Sequence, residues 1–104
     1  METLSENIIK ELFFNPSDDI QLTIKKDGSV IAVDNELTMT ISPQFLFEAC
    51  FNWLSKKNIR FGLTYNSNIQ GYFAWFVLLD EQFIGQNPME AMSKLCNYIY
   101  KEEL

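Results

Sequence analysis

The stretch Tyr72-Phe73-Ala74-Trp75-Phe76-Val77-Leu78-Leu79 is apolar at every position. A short run of this kind, rich in aromatic and branched side chains, reads as a strand, and uniform apolarity reads as cover on both faces. Residues 73–79 are therefore expected at the centre of a sheet with helices above and below. Upstream, Ile59, Phe61, Leu63 and Tyr65 alternate with Arg60, Gly62 and Thr64 as a preceding strand, and the loop Asn66-Ser67-Asn68-Ile69-Gln70-Gly71 turns the chain back. Downstream, Asp80-Glu81 marks a turn and Gln82-Phe83-Ile84 a short edge strand. Asn87-Pro88-Met89-Glu90 then starts a helix with a capping side chain and a proline suited to its first turn. In that helix Met92, Leu95, Cys96 and Ile99 share one side, and Glu90, Lys94, Asn97 and Lys101 the other.

The front of the chain has the same grammar. Thr3-x-x-Glu6 matches a capping box ahead of Leu4, Ile8, Ile9 and Leu12 at helical spacing, and Asn15-Pro16 ends that helix. Ile20, Leu22 and Ile24 alternate as a strand; Asp27-Gly28 signals a tight hairpin of type I′ before Val30-Ile31-Ala32-Val33. Asp34-Asn35 turns into Leu37, Met39 and Ile41, giving a three-stranded meander with one apolar face. Ser42-Pro43 opens a helix over residues 43–57, closed by Lys56, Lys57 and a left-handed Asn58. The expected fold is a single α+β domain over residues 1–104, in the order α-βββ-α-ββ(β)-α. Its sheet is mostly antiparallel, of five or six strands, with helices packed on it.

Composition narrows the function. With 104 residues, 47% hydrophobic and 21% charged, the chain has the make-up of one globular domain with its own core. No run approaches the length of a membrane span, and Met1-Glu2-Thr3-Leu4-Ser5-Glu6 lacks the basic and apolar start of a signal peptide, so a cytoplasmic protein is expected. Histidine is absent, which removes Ser-His-Asp and Cys-His catalysis and the common zinc sets. A net charge of −6 repels phosphate backbones and argues against direct nucleic-acid binding. The glycines at 28, 62, 71 and 85 are too scattered for a phosphate loop, and Asp18, Asp19, Asp27, Asp34 and Glu36 lack the spacing of a calcium loop. Cys50 and Cys96 fall on apolar helix sides and read as free, buried thiols. No catalytic residue, cofactor or metal site is expected.

One helix departs from the usual pattern. On a wheel of residues 43–57, Gln44, Glu48, Asn52 and Ser55 make a narrow polar stripe, with Leu46, Cys50 and Trp53 opposite it. Phe47 and Phe51 lie beside the stripe on one flank and Phe45 on the other. Too little of this helix is polar for an isolated surface, and exposed aromatics rimmed by polar groups mark a binding face. Gln44, Phe45, Phe47, Glu48 and Phe51 are the candidate partner-binding residues; the alternative is that the rings are covered by a loop or by the first helix.

Ser42-Pro43 before the aromatic helix through Trp53-Leu54, a hairpin containing Trp75, and Asn87-Pro88-x-x-Ala91 leading to Cys96 together resemble small phage accessory proteins of the ABA-sandwich type, over residues 42–100. The resemblance implies a mobile-element origin and carries over no functional residues. The opening helix and the meander around Asp27-Gly28, to Ile41, are similar to the start of the acidic, homodimeric type III secretion chaperones. The expected function is thus an acidic protein-binding module, a phage or mobile-element inhibitor of a host defence protein. The alternative is a homodimeric chaperone for an unfolded client. Neither is an enzyme.

Overall fold

A computed structural model describes residues 2–15, 18–76 and 82–104. The order is α1 (Glu6–Phe13), β1 (Gln21–Ile24), β2 (Val30–Val33), β3 (Thr38–Ile41), α2 (Pro43–Lys56), β4 (Phe61–Asn66), β5 (Gly71–Phe76), β6 (Gln82–Gly85) and α3 (Pro88–Lys101). The fold is α+β. Its strands form two three-stranded antiparallel sheets, β1-β2-β3 and β4-β5-β6, where the sequence reading had one sheet of five or six. Alternation marks strands and their faces, but nothing in it says which meander pairs with which, and here each keeps to itself.

Ser5, not Thr3, caps α1, its hydroxyl accepting from the Asn7 N–H at 3.3 Å. Leu4 then precedes the cap and Ile9 sits at the fourth helical position, the two places of a hydrophobic staple, and both are buried. The stop assigned to Pro16 falls outside the described residues. The hairpin between β1 and β2 is also wider than a two-residue I′ turn. Gly28 N–H donates to Lys25 O and Lys25 N–H to Ser29 O, with Gly28 alone at positive φ, +88°. This is the three-residue loop in which glycine takes the left-handed position. In the first sheet Leu22, Ala32 and Met39 form one cross-strand row and Ile24, Val30 and Ile41 the next. Val30 and Ile41 of the second row join the helical core; in the first row Ala32 is buried but Met39 is exposed, and Leu37 is 72% exposed, so the expected apolar face runs out into solvent at that end.

In the second sheet β5 lies between β4 and β6, so its central place in the ladder matches expectation. Its expected double cover does not hold. Tyr72 and Ala74 face the core under α3, while Trp75 on the opposite face is 36% exposed. The period-2 pleat makes the cause plain: the apolarity of the second face serves packing across the strands, as Trp75 lies over Gly62 of β4. Val77 and Leu79, assigned to the same strand, lie outside the described residues, as does the turn at Asp80-Glu81.

The centre of the molecule is α3. Ala91, Met92, Leu95, Cys96 and Ile99 are fully buried, against Leu46, Cys50 and Leu54 of α2 and Ile8 and Ile9 of α1. Each fully buried leucine, isoleucine or methionine contributes about 1.5–3 kcal/mol, so this seam dominates the fold's stability. The polar side of α3 is also engaged. Lys94 Nζ donates to Ile84 O. Asn97 clasps the segment before α1: its Oδ1 accepts from Ser5 N–H at 2.8 Å, and its Nδ2 donates to Thr3 O at 2.9 Å and to Glu2 Oε2 at 2.8 Å. Glu90 is 8% exposed and takes the Gln86 N–H.

Candidate functional site

Helix α2 is positioned at its start by Ser42, whose hydroxyl accepts from the Phe45 N–H at 3.2 Å, with Pro43 in the first turn. Leu46, Cys50, Trp53 and Leu54 bury one side of it. The other side presents Gln44, Phe45, Glu48, Phe51, Asn52 and Ser55 to solvent. Phe45 is 58% exposed and stacks on Phe13 of α1, centroids 5.8 Å apart. Phe51 is 49% exposed and meets Phe61 of β4 edge-on at 5.2 Å. Each ring is thus braced by a neighbouring ring while about half of the residue stays exposed. Glu48 stands between them in sequence and on the same exposed arc. Four of the five partner-binding candidates, Gln44, Phe45, Glu48 and Phe51, share this surface.

Phe47 does not share it. The ring is half-buried against the core and lines a cavity of about 520 Å³. At about 100° per residue Phe47 stands roughly 40° nearer the core side than Phe51, just across the line between solvent and core, which spacing alone does not locate. The cavity lies where α1, the β1-β2 hairpin and the first turns of α2 and α3 converge. Its walls include Ile9, Ile24, Leu46, Leu63 and Met89, and its polar lining includes Glu90 and Ser93. The sequence reading missed this site. Ser93, one helical turn from Glu90 on the polar side of α3, was the available signal.

Other polar features have local roles. Hydrogen bonds from the Ser29 hydroxyl and then the Ser29 N–H hold the Asp27 carboxyl below the ordinary aspartate range. The Glu36 and Leu37 N–H groups do the same for Asp34. These carboxylates are occupied in closing turns. Cys50 and Cys96 are free and buried, and a hydrogen bond to Cys50, together with burial, pushes the Cys96 thiol far up. Lys57 Nζ lies 4.8 Å from the centroid of the Trp53 ring, a cation over an aromatic face at the end of α2. The Trp53 indole N–H is buried with no acceptor among the described residues. Among the described residues no group of three or more Cys, Asp or Glu is placed to hold a metal, and no helix is long and apolar enough to cross a membrane.

Comparison of the chain with protein families, with curated proteins and with solved structures finds no match.

Proposed function

We propose that the chain is a protein-binding module that meets its partner through the exposed arc of α2. The observation that carries this reading is the pair Phe45 and Phe51, each about half exposed and braced by a second ring. Large aromatics fixed in place lose little entropy on binding and supply most of the energy of an interface, while Gln44 and Glu48 give a polar rim. The resemblance to phage accessory proteins supports a further step, in which the partner is a host defence protein, the chain acts by occupying its surface, and the setting is the cytoplasm. A second reading, a homodimeric chaperone for an unfolded client, draws on the bare Leu37 and Met39 end of the first sheet.

Phe45→Glu and Phe51→Glu test the proposal. Because both rings are half exposed, each variant is expected to melt within a few degrees of the parent. Each is expected to lose partner capture, or self-association by light scattering, by about 30-fold or more. Variants that melt normally and retain every partner and the parent's oligomeric state would refute it. Loss of association only on Leu37→Glu or Met39→Glu would favour the chaperone reading.

A further inference from the structure

The cavity beneath the first turns of α2 and α3 has a lining that its structural role does not account for. At about 520 Å³ it falls in the range of pockets that enclose small organic ligands. Most of the wall is apolar, from Ile9, Ile24, Leu46, Phe47, Leu63 and Met89. Into it face two polar side chains one helical turn apart on α3. Ser93 is 2% exposed, and its hydroxyl makes no hydrogen bond to another described residue. Glu90 is 8% exposed; one carboxylate oxygen accepts from the Gln86 N–H at 2.8 Å, and no lysine or arginine among the described residues pairs with it. A carboxylate set in a largely apolar wall, with no countercharge among the described residues, and a hydroxyl one turn away complement a ligand group that is both cationic and a hydrogen-bond donor.

The charge around the cavity has one sign in excess. Its lining holds the carboxylates Glu2, Asp27 and Glu90 against the single cation Lys26, and Glu2, Asp27 and Lys26 all stand exposed at the mouth. Inside, the polar spot carries a negative charge only. An anion would meet Glu90, and a purely apolar ligand would use neither Glu90 nor Ser93. We propose that this cavity binds an amphiphilic organic cation: an ammonium group donating to the Glu90 carboxylate and the Ser93 hydroxyl, with an alkyl or aryl body lying among the apolar walls. The site meets the exposed arc of α2 at Gln44, which lines the cavity mouth, but the inference does not depend on the protein-binding reading.

Three ligands of equal chain length separate the terms: n-octylammonium, n-octanol and n-octanoate, each titrated below its micelle concentration in about 0.15 M salt, where the general field of the protein is screened. Calorimetry gives affinity, and amide chemical shifts give location. The expected result is one octylammonium per chain, with shifts centred on Ile24, Leu46, Leu63 and Ser93. Octanol should bind about ten-fold or more weaker, as befits loss of a charge-assisted hydrogen bond, and octanoate weakest. Glu90→Gln, whose side-chain carbonyl still accepts from Gln86, should melt near the parent, retain octanol binding and lose the preference for ammonium over alcohol. The proposal is overturned if none of the three shifts the cavity amides, if octanoate binds as tightly as octylammonium, or if Glu90→Gln keeps the full preference, which would assign it to nonspecific attraction by an acidic protein.

Discussion

The indole of Trp75 occupies the space that any side chain on Gly62 would need: a Cβ built there would lie 2.0 Å from Cζ2 of the ring. The two residues are direct cross-strand partners on β4 and β5. A large ring over a bare backbone restores the packing that the glycine forgoes. Gly62→Ala should therefore destabilise by roughly 1–3 kcal/mol, as overpacking does. Trp75→Ala should cost less than the roughly 3–5 kcal/mol of a fully buried tryptophan, since the ring is partly exposed. The sharp expectation is non-additivity: in a Trp75→Ala background Gly62→Ala should be close to neutral by chemical denaturation. Full additivity would show that the ring does not rest on Gly62.

Cys50 and Cys96 face one another in the seam between α2 and α3, fully buried. Since only a thiolate alkylates readily, and the Cys96 thiol is pushed up by its Cys50 partner and by burial, iodoacetamide should label neither in the native state within hours. Both should react promptly in denaturant. Fast native labelling of either would mean that the seam opens on that timescale.

Asn97 joins segments 92 positions apart through the Ser5 N–H, and its amide also reaches Thr3 and Glu2. Asn97→Ala should cost about 1–2 kcal/mol and speed amide exchange at Ile8 and Ile9. Asn97→Asp should be worse, because it keeps the acceptor for Ser5 but turns a carboxylate oxygen toward Thr3 O and Glu2. An aspartate variant more stable than the alanine one would contradict this hydrogen-bond assignment.

Acid should loosen the first sheet through its turns. Asp27 and Asp34 are held below their ordinary value of 3.8 by hydrogen bonds made only when folded. A depressed folded pKa contributes stability that is complete above the unfolded pKa and is lost as pH falls through the folded one. Denaturation midpoints should therefore decline below about pH 4, and Asp27→Asn with Asp34→Asn should flatten that decline. A slope unchanged in the double variant would place the acid sensitivity elsewhere.

Most of the local structure was legible in the residues themselves. Ser42-Pro43 and Asn87-Pro88 mark the two long helices because capping geometry depends on a few adjacent groups, and Asn58 takes the left-handed conformation its position suggested. What the sequence did not reveal lies at longer range. The division into two sheets depends on pairings between distant backbones that leave no trace in alternation. The exposure of Trp75 depends on which face of β5 α3 chooses. Of the candidate site, the arc with Gln44, Phe45, Glu48 and Phe51 follows from helical geometry, whereas the turn of Phe47 into a cavity depends on three elements far apart in the chain.

The clasp between Asn97 and Ser5 also bears on synthesis. With translation proceeding at about 5–20 residues per second, α1 spends several seconds as an unanchored amphipathic segment before the side chain that secures it exists. Its buried pair, Ile8 and Ile9, belongs to a core that is complete only once Leu95 and Ile99 of α3 are made. Anchoring of the first helix thus waits on synthesis of α3, and during that interval its apolar stripe is the feature of the nascent segment best suited to engagement by chaperones.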